Sequence, residues 1–405
     1  MIFKTHLTYN LLCEQCFLTL KPLSKWRKDF IKDVLWLFLS IYGRINFSQL
    51  GRYGDSCEQR YRQQFEESFE FLSFNAALVK QHCSERKVIA FDPSYIPKSG
   101  KETPGVGRFW SGCAGSVKWG LEIGGIAALD LDNHTAIHLE AVQTIPGDQT
   151  TLIDFYAKVL IDRADELLKI ADTVVCDAYF SKEPFVTKLF DVGLHVVSRF
   201  RDDVRLQYII PQIKTGKRGR PKKYGNAIDF ENLDMNHFNT VKQENKNIKV
   251  YTAIVKAVAL KRVVKVVLVH YLENDKIKVS KIYFSTKTSF EAMEILDIYQ
   301  TRFQIEFLYR DAKQFTSLTS CQARDVNKLN FHFNMSLTAV NVAKVVHWFS
   351  IPKEERKAFS MADIKTINHN ALLLDRFILM FAIKPNILKN NQNVKELLLY
   401  GTKAA

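Results

Sequence analysis

Short β-rich runs alternate with helical segments across residues 87–200, and this order constrains the fold more than any other feature of the chain. From the first run onwards the order is β, β, β, α, β, α, β, which predicts an α/β fold. Two of the strands end in an aspartate. The predicted strands are Lys87–Asp92, Leu121–Leu131, Thr135–Gln143, Thr173–Asp177 and Leu194–Phe200, and the predicted helices are Thr150–Ile170 and Ser181–Val192.

The first 85 residues have apolar side chains at helical spacing and predict a helical region. Within it, Ser48 is expected to cap one short helix and Ser56 a second helix that runs through Phe71. Two helices joined by a short turn are typical of a helix-turn-helix, in which Arg60 and Arg62 would lie early in the DNA recognition helix. A plain helical hairpin with a solvated charged face fits the same pattern.

A basic loop follows the alternating segment. The run from Lys217 to Lys223 contains Arg218 and Arg220 in an Arg-Gly-Arg-Pro sequence, which resembles the core of a minor-groove AT-hook. Insertion into the minor groove and a solvated loop that touches phosphates are the two interpretations of this run.

The second half of the chain predicts strands and then helices. Val250–His270 and Lys276–Ser285 are rich in Val and Ile, which favours a β-rich insertion. Ser289 is expected to cap a long helix through Lys313, and further helices fill the remainder of the sequence.

The composition indicates a globular, basic protein. Hydrophobic residues make up 47% of the chain, and 57 Lys and Arg against 43 Asp and Glu leave a net charge of +14. Such a surplus of cations favours a polyanionic partner, with nucleic acid first. The sequence has no membrane-spanning apolar stretch and no secretory signal pattern, so we expect a cytoplasmic protein that associates with the nucleoid when it binds DNA.

Polar side chains at four positions of the long predicted helix share one face. Tyr299, Arg302, Glu306 and Lys313 lie at offsets of 0, 3, 7 and 14 residues, which places them within an arc of about 60°. Apolar residues flank this stripe on both sides, so the helix is expected to be mostly buried and to present one polar ridge. One acid among groups that bind phosphate suits metal-assisted work on a nucleic-acid backbone. A helix face that is merely exposed and charged is the alternative.

Two further acids, Asp92 and Asp177, lie at the predicted ends of strands. Carboxylates at strand ends are commonly solvated caps or turn formers, and only the company of Glu306 makes them candidates for catalysis. Lys98 and Lys101 follow Asp92 closely and are candidates for contacts to the DNA backbone near the cut.

The run Tyr299-Gln-Thr-Arg302-Phe-Gln-Ile-Glu306, followed by Lys313, resembles the Y-(2)-R-(3)-E-(6)-K signature of bacterial insertion-sequence transposases. The family is the one named after insertion sequence four, in the DDE superfamily. The segments Phe91–Lys101 and Val175–Phe180 are similar to the family's first-acid and second-acid segments. The resemblance covers most of the chain, except that the first 85 residues match the family only in being helical.

The resemblance implies an RNase H-like catalytic core, a mixed five-stranded sheet flanked by helices, with a β-rich insertion and an N-terminal helical domain. The expected regions are a DNA-binding region (1–85), the first part of the core (86–200), the basic loop and insertion (201–285), the second part of the core (286–350) and a C-terminal helical region (351–405).

The resemblance also implies site residues and cofactors. Asp92, Asp177 and Glu306 would be the catalytic acids that bind two Mg²⁺ ions, with Mn²⁺ as a possible substitute. Tyr299, Arg302 and Lys313 would hold the DNA end.

The implied activity is that of a transposase. Such an enzyme binds the terminal repeats of its element in double-stranded DNA, hydrolyses the phosphodiester bonds at the ends and joins the 3′-hydroxyls to target DNA. Because two ends are processed, a homodimer is expected in the DNA complex. Two other classes are left open: a catalytically inactive DNA-binding protein derived from a transposase, and an RNase H-like nuclease without strand transfer.

Overall fold

The structure is a computed structural model, and it describes residues 4–147, 149–211, 223–241, 245, 247–384, 388 and 391–403. Arg218 and Arg220 of the basic loop lie outside the described residues.

Twelve strands form one mixed sheet in the part of the chain that the structure describes. Their order along the main path is β2-β3-β1-β5-β6-β12-β11-β10-β7-β8, with β4 paired to β3 and β9 paired to β10. The strands are β1 (Lys87–Pro97), β2 (Gly107–Ser111), β3 (Ser116–Asp130), β4 (Thr135–Gln143), β5 (Thr173–Val175), β6 (His195–Arg199), β7 (Leu206–Ile209), β8 (Tyr224–Ala227), β9 (Asn239–Val241), β10 (Ile248–Ala257), β11 (Arg262–Glu273) and β12 (Lys276–Ser285).

Strand β1 is antiparallel to β3 and parallel to β5. Strand β6 continues the parallel part beside β5, and β4 continues the antiparallel part beside β3. The predicted insertion does not form a separate sheet, because β12 pairs antiparallel with β6 and carries β11 and β10 with it. The division of the chain into five regions stays a prediction.

Helices cover both faces of the sheet, and each face has its own apolar core. One core includes side chains of the N-terminal helices and of α9 to α12, and the other includes side chains of α6 to α8. The helices are α1 (Lys4–Phe17), α2 (Lys25–Ser40), α3 (Phe47–Tyr53), α4 (Glu58–Gln64), α5 (Phe71–His82), α6 (Leu152–Ile161), α7 (Ala164–Leu168), α8 (Glu183–Asp191), α9 (Ala292–Thr301), α10 (Gln304–Phe315), α11 (Val326–Lys344), α12 (Met361–Met380) and α13 (Gln392–Leu399). None of the helices that the structure describes has the length and apolar character needed to span a bilayer.

The strands at 135–143 and 276–285 agree with the sequence prediction to the residue. The first strand does not end at Asp92 but continues to Pro97, since β3 offers it a pairing partner along its whole length. The helix predicted over residues 150–170 is two helices, with a break between α6 and α7.

The predicted caps of the two short N-terminal helices are wrong. The side chain of Asn46, not Ser48, accepts the Gln49 N–H at the start of α3, and α4 begins after Cys57. Helix α4 also ends well before Phe71. The chain leaves the helix at Phe65, whose ring packs at 4.4 Å from that of Phe331 in α11.

The predicted single helix through Lys313 is also interrupted. Helix α9 begins after Glu291, which forms a capping box with Glu294, and not after Ser289. At Arg302 the backbone tightens: the N–H groups of Ile305 and Glu306 donate to carbonyls three residues earlier. Helix α10 begins at Gln304, directly after this tight turn.

Candidate active site

Asp92 lies in the middle of β1, directly opposite Gly125 of β3. The hydroxyl of Tyr309, on α10, donates a hydrogen bond of 2.5 Å to the backbone carbonyl of Asp92. A Cβ atom at position 125 would lie 1.9 Å from this hydroxyl, so only glycine leaves room for it. Tyr309 and Gly125 together fix the backbone that carries the Asp92 carboxylate.

Asp177 follows β5 directly, and two hydrogen bonds hold it. Its carboxylate accepts from the N–H of Tyr179, and its carbonyl accepts from the hydroxyl of Ser198. Strands β1 and β5 are parallel neighbours with Ala90 opposite Val175. Asp92 lies two residues beyond that pair within β1, and Asp177 lies two residues beyond it in the turn that follows β5, so both come at the same end of this parallel pair.

Glu306 lies in the first turn of α10, and Arg302 connects it to Asp92. The guanidinium of Arg302 is 3.6 Å from the Asp92 carboxylate through Nη1 and 3.2 Å from the Glu306 carboxylate through Nη2. Arg302 is only 6% exposed, whereas the Glu306 side chain is 46% exposed. The buried cation therefore lies between a buried acid of the sheet and a more exposed acid of the helix.

The charged groups at this site shift one another's pKa values. Burial raises the pKa of Asp92 to about 7, against the favourable effect of Arg302, and the negative charges of Asp177, Glu306 and Glu122 raise it further. Burial lowers the pKa of the Arg302 guanidinium, but the charges of the surrounding acids outweigh this and raise it overall. Lys313 acts electrostatically on Asp92, and Lys182 acts on Asp177, so two lysines add to the positive charge of Arg302.

Carboxylates grouped in this way fit a hard divalent cation, which prefers oxygen ligands. In the arrangement seen here, no three His, Cys, Asp or Glu side chains among the described residues are placed to hold a metal ion. The guanidinium of Arg302 occupies the position between Asp92 and Glu306. A metal ion would therefore have to take the place of the guanidinium.

Tyr299 and Lys313 extend the site in opposite directions along the two helices. The ring of Tyr299 lies 5.6 Å from the guanidinium carbon of Arg302 and contacts Tyr283 edge-on. The ammonium of Lys313 donates to the hydroxyl of Ser94, two residues after Asp92 on β1, and burial lowers its pKa. Of the four residues of the helical motif, Arg302 and Lys313 contact β1, Glu306 pairs with Arg302, and Tyr299 packs against β12.

The two lysines after Asp92 have different environments. Lys98 donates to the carbonyls of Cys321 and Ala323, at 2.7 and 2.8 Å, and so attaches the end of β1 to the segment after α10. Its ammonium is engaged within the chain. Lys101 is exposed and lies at the surface beside β2 and β3.

The two arginines of α4 make contacts within the N-terminal helices. Arg60 is exposed and lies with its guanidinium 4.3 Å from the ring centre of Trp26. Arg62 forms an ion pair with Glu58 one turn earlier. Their role in DNA binding stays a prediction.

Several residues at the site had no part in the sequence prediction. Tyr309 lies three residues after Glu306, a spacing that places both on one helix face and was a usable signal. Glu122 is a lone acid in an apolar strand, buried and hydrogen-bonded by Tyr156. Arg199, at the end of β6, acts electrostatically on Tyr299, and its position there follows only from the sheet order.

The sequence model of the family described as the transposase DDE domain matches residues 87–342, more than half of the chain. The protein belongs to this family. No curated protein matches the chain. The match includes β1, the end of β5 and α10, so the three acids all lie within it.

Membership gives this protein a transposase-type function. DNA is the class of substrate that the family implies, and divalent metal ions are its general cofactors.

Proposed function

We propose that this DDE-family protein is a DNA transposase that binds the terminal inverted repeats of its own element, cleaves both ends and joins the 3′-hydroxyls to target DNA. The observation that carries the proposal is the shared guanidinium of Arg302. It connects Asp92 and Glu306 directly, and Asp177 acts on it as well. Acids from two strands and one helix thus meet at one cation.

An RNase H-like core is part of the proposal. The path β4-β3-β1-β5-β6 combines three antiparallel strands with a parallel pair, in the order expected for that core. The candidate acids come from its central strand, from the end of the neighbouring strand and from a covering helix. These are ordered elements, so the site is rigid without any long loop.

Asp92, Asp177 and Glu306 would hold two Mg²⁺ ions, for which Mn²⁺ is a substitute. Such ions activate the attacking water or 3′-hydroxyl and stabilise the leaving oxygen. Tyr309 would hold the first acid in place, because its hydroxyl donates to the backbone carbonyl of Asp92. The Ser198 hydroxyl does the same for Asp177.

The remaining ridge residues would bind the DNA end. Once released from its carboxylates, Arg302 is a planar fork suited to a phosphate, and Lys313 is a point charge four residues beyond Tyr309. The Tyr299 hydroxyl would donate to a phosphate or its ring would pack on a sugar.

More distant cations would hold flanking DNA. Lys101, Arg60 and Arg62 are exposed or half-exposed in the structure. We retain Lys98, Arg218 and Arg220 as proposed DNA contacts of the same kind, in line with the net positive charge of the chain. Two ends require two active sites, so a homodimer is proposed for the DNA complex, acting in the cytoplasm on nucleoid DNA.

The test is cleavage of a duplex that carries the sequences flanking the reading frame. Purified protein should nick this duplex with Mg²⁺, and Asp92→Asn, Asp177→Asn and Glu306→Gln should each abolish nicking. Unchanged nicking in all three variants would contradict the assignment. Absence of nicking with retained duplex binding would instead favour an inactive, transposase-derived DNA-binding protein.

A second assay separates transposition from simple cleavage. Pre-cut ends with free 3′-hydroxyls are incubated with a supercoiled target, and a transposase converts both into joined products. An RNase H-like nuclease without strand transfer leaves the ends unjoined.

A further inference from the structure

The hairpin made by β2 and the start of β3 extends beyond the rest of the sheet. Strand β1 pairs with β3 only from Gly120 onwards, and β4 only from Ile123 onwards. Residues 116–119 therefore pair with β2 alone in the described sheet.

One face of this hairpin carries two exposed tryptophans. Arg108 lies opposite Trp119, and Trp110 lies opposite Val117, so these four side chains share a face. Trp110 is 61% exposed and Trp119 is 45% exposed, although large aromatic side chains are usually well buried. Two of the five tryptophans of the chain therefore lie exposed, beside an arginine, on one surface.

The ring of Trp119 is held in place. Its indole N–H donates to the carbonyl of Gly100, and its own carbonyl accepts from the hydroxyl of Tyr95. A fixed, exposed indole loses little conformational entropy when a flat partner stacks on it.

The hairpin surface is also basic. Residues 98–120 contain four Lys and Arg and a single acid, Glu102. Arg108, Lys118 and Lys101 are all exposed. Charge complementarity therefore favours a polyanion with flat groups.

Strand β3 connects this hairpin to the candidate active site. Trp119 and Gly125 lie on the same face of β3, about 20 Å apart, and Gly125 is paired with Asp92. The tip of the hairpin also approaches α10, because Cys113 acts electrostatically on the pKa of Lys313. A strand of DNA leaving the site would reach the hairpin within a few nucleotides.

We propose that the hairpin binds a single-stranded segment of the element's DNA end, with unpaired bases stacked on Trp110 and Trp119 and a phosphate paired with Arg108 on the same face. The proposal rests on the proposed transposase function and deepens it. Stacking requires unpaired bases, so the hairpin would recognise the opened end beside the cut and not the intact duplex.

The test is binding of a fluorescein-labelled oligo-dT of about 15 nucleotides and of a blunt duplex of equal length, measured by anisotropy in EDTA. Trp110→Ala and Trp119→Ala should each weaken oligo-dT binding by roughly 5- to 100-fold, with little effect on the duplex. Trp110→Phe and Trp119→Phe keep a stacking ring and should retain most of the affinity. Trp348→Phe, in the π-helical turn after α11, is the matched control and should bind as the unchanged protein does.

Three results would overturn the proposal. One is oligo-dT affinity that neither alanine variant reduces, and another is an equal loss for the duplex. The third is sedimentation showing that Trp110→Ala converts a dimer to a monomer, which would make the surface an interface between two copies. The assay contains no metal, so it stands apart from the cleavage test: nicking that depends on the three acids, together with unchanged oligo-dT binding, removes the hairpin proposal alone.

Discussion

The protein buries cations in two regions, and the partners of those cations differ. At the candidate active site, Arg302 lies between two carboxylates, and its pKa is raised. In the helical layer, the ammonium of Lys365 donates to the carbonyl of Phe38, and burial lowers its pKa to about 7. Lys344 bonds a hydroxyl and a carbonyl in the same way, and its pKa falls to about 8.

The comparison distinguishes a structural cation from a functional one. Burial among neutral oxygens lowers the pKa of a lysine, because the charged form is poorly solvated there. At the active site the buried guanidinium lies among acids, which raise its pKa, and the pKa of Asp92 is raised as well. Carboxylates grouped in a partly open site are what a divalent cation would bind.

The largest effect in this comparison is expected from removal of the acids. Asp92→Asn, Asp177→Asn or Glu306→Gln should each lower the rate of Mg²⁺-dependent DNA cleavage by roughly 1,000-fold or more, since each removes a proposed metal ligand. The measurement is single-turnover cleavage of the end duplex. Asp162→Asn, which removes only a surface ion pair with Lys158, is the matched control and should cleave normally.

The structural role of Lys365 can be tested through the pH dependence of the protein's stability. Its pKa is lower in the folded chain than in the unfolded one, so the unfolded chain binds more protons between about pH 7 and 10.5. The free energy of unfolding should therefore gain a contribution that rises across that window, by up to about 1.4 kcal/mol per pH unit.

Urea unfolding at several pH values measures this effect against Lys365→Met. The variant should lack the contribution and be at least as stable as the unchanged protein near pH 6. If the free energy of unfolding depended on pH in the same way for the two proteins, Lys365 would not have a lowered pKa in the folded chain.

Arg302→Gln tests the functional side without any DNA. Loss of the guanidinium leaves the acids uncompensated, so the metal-free variant should be less stable by about 2 kcal/mol. Mg²⁺ should then stabilise the variant more than it stabilises the unchanged protein, as measured by thermal unfolding with and without the ion. Arg310→Gln, on the exposed side of α10, serves as control. Equal stabilisation of both arginine variants by Mg²⁺ would show that Arg302 does not lie at the metal site.

The smallest effect is expected from Tyr309→Phe. The change removes the hydrogen bond to the Asp92 carbonyl and should cost about 1 kcal/mol of stability. Because the carboxylate itself remains, cleavage should fall less than in the acid variants. Gly125→Ala should be worse than Tyr309→Phe, since its Cβ would collide with the tyrosine, and the double variant Gly125→Ala/Tyr309→Ala should recover part of the loss.

The sequence predicted the parts of this fold that depend on local pattern. Alternation of apolar and polar residues was sufficient for β4 and β12, whose bounds agree with the prediction. The helical motif also placed Arg302 and Glu306 on one face, and the two form an ion pair. Neither result requires knowledge of distant contacts.

What could not be predicted depends on pairing between distant segments. The extension of β1 past Asp92 follows from its register with β3, and the tight turn at Arg302 coincides with ion pairs that join it to β1. The short β2 strand has a weak pattern of its own and is identified only by its pairing. The need for glycine at position 125 likewise arises from a tyrosine 184 positions later in the chain.

The central claim is that Asp92, Asp177 and Glu306 bind the same metal centre. Replacing Mg²⁺ with Fe²⁺ and adding peroxide generates hydroxyl radicals at the bound ion, and mass spectrometry of the fragments locates the backbone cuts. The account predicts cuts near all three residues, suppressed by excess Mg²⁺. Cuts near only one or two of them, or cuts elsewhere in the chain, would contradict it.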